Sequence, residues 1–311
     1  MHIEIAAYRQ KGAADMAGTT IKLRTALGNY PHTAGLKSGA ITAPGVALEF
    51  EDVKPVNRAF APMAREQRFD VSEMAIVTYL LARAYDKPLV LLPAVMYGRF
   101  QHNTFVYNGA RGRLTLQDLP GKRIAVRSYT QTTGVWIRGI VENDYGVDLK
   151  NAHWIVQEGA HVAEYKDPPE LERISMEHNL LNMLLAGEVD AVIYGADLPE
   201  DARLKTVIEN PQDEAQKWFQ RHGVVPINHM VVVKQSLVKE QPQVVKAVWE
   251  ALRKGKASTL PAPGAIETTP FGIEATRPAL ELIISYAHQQ RIIPRRYSVD
   301  EIYEDAARII G

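Results

Sequence analysis

Apolar and polar residues alternate along 20–28 (TIKLRTALG) and 45–53 (GVALEFEDV), the period-two pattern of half-buried strands, and the first run ends in the turn-rich GNYPH. Apolar positions then recur at helical spacing over 56–67. The segment FDVSEMAIVTYLLARAYDKP reads as a short strand running into a helix that Pro88 stops. Continuous apolar runs at 89–96 and 103–108 predict buried strands. A second series begins at TLQDLPGKRIAVRSY (115–129), where PGK turns into a strand, followed by a helix around Trp136 and a strand at 153–159. It continues with a helix over 176–185 and a strand at 189–195. A polar helix (211–222), the apolar strand 226–234, a long helix (240–255), a Pro/Gly/Thr-rich loop (259–272) and two terminal helices complete the chain. Repeated strand and helix alternation implies a parallel or mixed sheet covered on both faces. With 311 residues, two lobes or one large α/β unit are expected. The boundaries fall at 1–108 with 226–311 for a discontinuous lobe I, and at 109–225 for an inserted lobe II.

Composition narrows the chemistry. Lys plus Arg and Asp plus Glu both number 36, so the net charge is zero, which argues against nucleic acid or an anionic membrane surface as the main partner. Cysteine is absent, which removes disulfides, thiolate metal sites and cysteine nucleophiles. No run of about 18 apolar residues suggests a membrane span. The opening MHIEIAAYRQKGAADMAGTT lacks the continuous apolar core of a secretory signal, so a cytoplasmic protein is expected. Tyr79, Trp136 and Trp249 lie in helical apolar patterns and read as core.

Histidines, arginines and hydroxyls carry the candidate chemistry. The stretch RSYTQTTG runs from a strand into a helix. Arg127, Ser128, Thr130, Thr132 and Thr133, with the helix-start amides, suit a bound carboxylate, while Thr132 or Thr133 alone also suits a helix cap. A phosphate loop fails on spacing, because Leu116 stands where its first glycine belongs. His32 follows the first strand, His229 precedes the apolar run 230–233, and Arg99 and His102 sit near the crossover between lobes. Each histidine suits proton transfer near neutral pH, or a plain structural place. Ser72 and Glu73 read as another helix start, with Glu73 orienting a histidine, taking a hydroxyl proton or favouring the helix dipole. His161 and Glu164, three apart, suit one helical face as an acid–base or orienting pair. No H-E-x-x-H, G-x-S-x-G or G-x-G-x-x-G pattern occurs.

The DLPGKRIAV entry into the inserted lobe resembles the type II periplasmic-binding-protein fold, in which two α/β lobes joined by two crossovers enclose a central cleft. Several stretches together resemble the 4,5-dihydroxyphthalate decarboxylase group: LGNYPHTAGLKSG, VKPVNRAFAPMAREQRFDVSEMAIVTYL, LPAVMYGRFQHNTFVYN, GKRIAVRSYTQTTGVWIRGIVENDYGVD, AHVAEY and GVVPINHMVVVK. They span roughly Leu27 to Lys234. The resemblance implies a non-oxidative carboxy-lyase acting on a small-molecule aromatic carboxylate, with no organic cofactor and a divalent metal left open. The reaction it implies turns 4,5-dihydroxyphthalate into 3,4-dihydroxybenzoate and carbon dioxide, and elementary chemistry then calls for ring protonation, assisted by ionisation of the para hydroxyl, before carbon dioxide departs. His32, His102, His229 and Glu73 are the catalytic candidates, and Arg99, Arg127, Ser128, Thr130, Thr132, Thr133, His161 and Glu164 the substrate-binding ones. The alternatives are a non-catalytic solute-binding protein for an aromatic or dicarboxylic acid, and a pyrimidine-precursor synthesis protein, whose active-site cysteine this chain lacks. A homo-oligomer is left open.

Overall fold

The computed structural model describes residues 20–195, 197–259 and 261–310. The polar leader, on which the reading of no secretory signal rests, lies outside them. Two mixed sheets organise the described chain. The first has the order β2-β1-β3-β11-β4, from β1 (Ile21–Ala26), β2 (Val46–Phe50), β3 (Val71–Ala75), β4 (Leu89–Gly98) and β11 (Ile227–Lys234). The second has the order β10-β5-β9-β6-β7-β8. Its strands are β5 (Phe105–Asn108), β6 (Arg123–Ser128), β7 (His153–Glu158), β8 (Glu172–Arg173), β9 (Ala191–Ile193) and β10 (Leu204–Thr206). β1 pairs in parallel with β2 and β3, whereas β11 returns antiparallel between β3 and β4. The segment 103–108, assigned by sequence to lobe I, instead pairs with β9 and β10 in the second sheet. Its four strand residues are apolar enough to be buried in either sheet, so composition did not decide the partner.

The helices are α1 (Pro31–Lys37), α2 (Phe60–Glu66), α3 (Ile76–Ala84), α4 (Thr132–Asp144), α5 (Leu180–Ala186), α6 (Pro211–His222), α7 (Gln235–Glu240), α8 (Pro242–Ala257), α9 (Ile273–Gln289) and α10 (Val299–Ile310). α1 falls where the sequence suggested only a loop, because Pro31 at its first position needs no amide partner and presets the helical φ. Among the described residues, no helix is long and apolar enough to cross a membrane.

α4 leaves the second sheet but packs into the core of the first. Trp136 is fully buried among first-sheet residues, and its indole N–H donates to the Ile227 carbonyl at 2.8 Å. The Trp136 ring meets Tyr286 of α9 edge-on at 5.7 Å. One turn on, Gly139 lets α4 approach α9, since a Cβ there would stand 2.1 Å from the Tyr286 ring. Arg138 is buried too, stacked over Tyr129 and Trp154 and donating to Gln290. Truncating Trp136 removes a large packed ring and orphans a buried carbonyl. Trp136→Ala is therefore expected to lower stability by about 3–5 kcal/mol, read by denaturant titration.

Candidate active site

Glu73 and His229 form the centre. Glu73 lies in the middle of β3, not at a helix start, so the helix-dipole reading of this residue is corrected. The strand runs into α3 with no turn residue between them, which is why the sequence blurred the boundary. β11 pairs beside β3 with Val231 opposite Glu73 and His229 opposite Ala75, bringing the two side chains onto one face. His229 Nδ1 lies 2.7 Å from Glu73 Oε1. The Tyr30 hydroxyl donates to the same oxygen at 2.7 Å, and the Gly28 amide donates to Oε2 at 2.8 Å. Burial works to raise the Glu73 carboxyl, but the hydrogen bond and charge of His229, with Tyr30 and Gly28, outweigh it and hold the carboxyl below its ordinary value. Tyr30 is pushed up, by burial first and then by the Glu73 charge, so it stays a donor.

A carboxylate with three donors already in place has little capacity left to take a substrate proton. Its geometry instead orients His229, in the manner of a carboxylate that selects an imidazole tautomer. With Nδ1 engaged, Nε2 is the free nitrogen of a ring that remains one-fifth exposed. Aromatic rings wall it in: Phe60 stands edge-on at 4.9 Å and Tyr97 lies at 5.5 Å, with Tyr30 stacked on Tyr97 at 6.4 Å. Sequence reasoning missed Tyr30, Tyr97 and Phe60, although Tyr30 stands two residues before His32 in the quoted GNYPHT.

The RSYTQTTG turn faces this centre from the second sheet. Gln131, not a threonine, occupies the cap position of α4, and no side chain caps the helix, which corrects the cap reading of Thr132 and Thr133. Thr132 instead accepts the Val77 amide at 3.3 Å, so the first turns of α3 and α4 meet. Neither N-cap residue makes a side-chain hydrogen bond, and, apart from the Val77 amide taken by Thr132, the first-turn amides and positive dipole ends of both helices converge beside His229. Asn228, one residue before His229, reaches Thr133 at 3.5 Å and accepts from Gln101 at 2.7 Å. The Ser128 and Thr130 hydroxyls are buried 3.2 Å apart. Arg127 lies 3.6 Å from Glu158, yet its buried Nε has no hydrogen-bond partner among the described residues. Arg99 donates to the Gly195 carbonyl at 3.0 Å and likewise leaves a buried Nε without one. Two guanidinium groups and two helix starts make a positive, part-buried setting suited to carboxylates.

His161 also belongs here. Its ring stands edge-on to Phe60 at 5.9 Å, and its Nδ1 lies 2.8 Å from the Thr78 hydroxyl of α3. Glu164 does not join it: residues 160–164 form no helix, and Glu164 pairs with Lys87, which corrects the expected His161–Glu164 pair. His32 sits in the first turn of α1, stacked 5.3 Å from Tyr30 with Phe271 edge-on at 6.2 Å, and its buried Nε2 has no partner among the described residues. His102 points elsewhere. Its ring meets Trp218 of α6 edge-on at 6.2 Å, and the charges acting on it are Glu214, Asp144 and Arg221, so the catalytic reading of His102 is corrected.

Three histidines are pushed down to about 4: His32 by burial and then Lys256, His102 by burial, and His161 by burial and then Arg127 and Arg65. Below the ordinary value of about 6.5 the unfolded chain takes up protons that the folded chain refuses. These groups therefore make stability fall as the pH drops from about 6.5 to about 4, with the loss levelling off below that. His102 is the cleanest probe, being 1% exposed with neither ring nitrogen hydrogen-bonded among the described residues. In thermal scans between pH 4.5 and 7, His102→Leu is expected to flatten the fall in Tm without lowering the neutral-pH value. Among the described residues, no three His, Asp or Glu side chains converge as a metal-ligand group.

No family model matches the chain. Over 259 residues, 77% of this chain and 76% of the relative, it is 29% identical to a 4,5-dihydroxyphthalate decarboxylase of Comamonas testosteroni. A Pseudomonas putida protein of the same name is 27% identical over 218 residues, 64% of this chain and 81% of that protein. This chain is similar to 4,5-dihydroxyphthalate decarboxylases. Among solved structures it resembles the alkanesulfonate-binding protein of Xanthomonas axonopodis pv. citri, with a TM-score of 0.56 and 13% identity over 92% of this chain and 98% of that one. The aliphatic sulphonate binding protein of Escherichia coli gives a TM-score of 0.54 at 12% identity, covering 90% of this chain and 91% of that one. The fold is that of a type II periplasmic binding protein, as the DLPGKRIAV segment suggested. At such identity these structures speak for the fold alone.

Proposed function

We propose that this chain is a carboxy-lyase that converts 4,5-dihydroxyphthalate into 3,4-dihydroxybenzoate and carbon dioxide without oxidation. The observation that carries this reading is the His229–Glu73 pair, with a free Nε2 beside two uncapped helix starts, in a chain similar over three-quarters of its length to decarboxylases of that substrate. The two sheets act as lobes, residues 20 to about 100 with 226–310 forming one and about 105–225 the other, and the substrate sits between them. The cytoplasm is the proposed location, since this chemistry needs no partner beyond the small molecule.

Direct loss of carbon dioxide would strand an electron pair on an aromatic carbon. Protonating the carboxyl-bearing carbon first, with electron release from the para hydroxyl, gives a dienone whose carbon–carbon bond breaks as the ring recovers aromaticity. Protonated His229 supplies that proton through Nε2, while the buried Glu73 carboxylate stabilises the imidazolium and fixes its orientation. Phe60, Tyr97 and Tyr30 provide flat, apolar walls for the ring. An arginine on the departing carboxylate would stabilise the ground state more than the transition state. Arg127 with the threonine hydroxyls and α4 amides therefore holds the carboxylate that stays, and Arg99 neutralises charge on the ring oxygen.

Mixing purified protein with excess 4,5-dihydroxyphthalate separates this reading from a receptor. Monocarboxylate product beyond one equivalent per protein is the expected result, whereas saturable binding with unchanged substrate would establish the solute-binding alternative. Repeating the assay with chelator reports whether a divalent metal takes part.

A further inference from the structure

We infer that His161 is the second catalytic histidine of this site, the base that takes the proton of the hydroxyl para to the departing carboxylate, and that Thr78 is its positioning residue. The inference rests on the decarboxylase reading and divides labour within it.

His161 and His229 reach the site from different sheets, one from the turn after β7 and the other from β11, and both rings stand edge-on to Phe60 at 5.9 and 4.9 Å. Both imidazoles thus line the same phenyl ring. The substrate places its two reacting positions, the ring carbon losing carbon dioxide and the para oxygen, on opposite ends of a ring of the same size. A proton must arrive at one end as another leaves the other, and two histidines from different sheets lining one phenyl wall suit that need.

The two imidazoles are tuned for opposite tasks. His229 has a buried carboxylate on Nδ1; His161 has a neutral hydroxyl there. The groups facing His161 are Thr78 of α3, Arg65 of α2, Arg127 of β6 and His229 of β11, with Phe60 of α2 against the ring. Arg65 donates to the His161 carbonyl at 2.8 Å and the Ala160 carbonyl at 2.9 Å, which fixes the backbone of the turn. In the tautomer whose Nδ1–H donates to Thr78, which this assignment requires, Nε2 carries the lone pair. Burial first, and then Arg127 and Arg65, keep the ring neutral at pH 7, with its lone pair unprotonated.

The proton count closes. The para O–H bond breaks and its proton moves to His161 Nε2 as the His229 Nε2–H proton bonds to the ring carbon. The carbon–carboxylate bond then breaks, its electron pair returns to the ring and oxygen, and carbon dioxide leaves. His161 hands its proton back to the phenolate, and His229 recovers one from water. One proton is consumed per carbon dioxide, and nothing is oxidised or reduced.

The test follows kcat and KM for 4,5-dihydroxyphthalate against pH in the intact protein, His161→Gln and Thr78→Val. His161→Gln is expected to lose on the order of 100-fold in kcat at pH 7, with the deficit shrinking as the pH rises through the substrate's own catechol ionisation, where the base is no longer needed. Thr78→Val is expected to show the same pH-dependent deficit, about tenfold at pH 7, with KM little changed. Because Thr78→Val is nearly isosteric, it carries the test even where His161→Gln fails to fold. Wild-type kcat in either variant, or a deficit equal at every pH, would overturn the assignment. An unmutated protein that makes no carbon dioxide would overturn the decarboxylase reading itself.

Discussion

His229→Gln is expected to lower kcat by on the order of 10³-fold at every pH while leaving KM within a few-fold, because the change removes the proton donor and not a substrate anchor. Glu73→Gln is expected to cost on the order of 10²–10⁴-fold in kcat, since the amide neither stabilises an imidazolium nor fixes the Nδ1–H tautomer. The two effects should not add. In the double variant the loss should match that of His229→Gln alone, the signature of groups that act as one unit. Glu73 is fully buried and holds Gly28, Tyr30 and His229 together, so a thermal midpoint must accompany the kinetics. Glutamine keeps the volume but has one acceptor oxygen, so it can keep the Gly28 amide or the Tyr30 hydroxyl as a donor, not both. Additive losses in kcat, or losses that fall on KM, would remove His229 and Glu73 from the chemical step.

Arg127→Ala is expected to act on the other parameter. Its guanidinium has a buried Nε with no protein hydrogen-bond partner among the described residues and lies beside the His161 ring and the α4 start. A charge-assisted bond to the retained carboxylate is worth roughly 1.5–3 kcal/mol, so KM should rise roughly 10- to 100-fold with kcat nearly unchanged. Arg127→Lys should recover part of the loss, because a point charge restores attraction but not the planar fork. A fall in turnover at saturating substrate with an unaltered KM would show that Arg127 is not an anchor. A rise in turnover would show that it grips the carboxylate that leaves.

Most of the strands and long helices were legible because burial of one face imposes a period on the sequence. Thr20 to Ala26 alternates, and the long helix α8 repeats its apolar positions at helical spacing. Local pattern was a poorer guide where the decision depended on a distant partner. β5 carries an apolar run that fits either sheet, and only its pairing with β9 assigns it. Glu73 looked like a helix start because VSEMAIV passes from strand to helix without punctuation.

The site shows the same limit more sharply. His229, Glu73, Arg127 and the threonines were visible as residue types that bind anions or move protons. Their grouping was not, because Tyr30 lies 43 positions and His229 156 positions from Glu73, and strand order alone brings them together. His161 was paired with Glu164 on the assumption of a helix. Gly159 and the Pro168–Pro169 pair flank a turn instead, which turns the Glu164 side chain to Lys87 and leaves His161 to Thr78. His102 illustrates the converse: a histidine near a crossover that the fold turns inward against Trp218.

The most direct measurement of the central claim is isotope-traced carbon dioxide from purified protein given 4,5-dihydroxyphthalate labelled in its carboxylates, compared with His229→Gln protein. The account predicts one labelled carbon dioxide and one 3,4-dihydroxybenzoate per substrate over many turnovers from the unmutated chain, and loss of both in the variant. Stoichiometric binding of an unaltered substrate, or release at equal rates from both proteins, would contradict it.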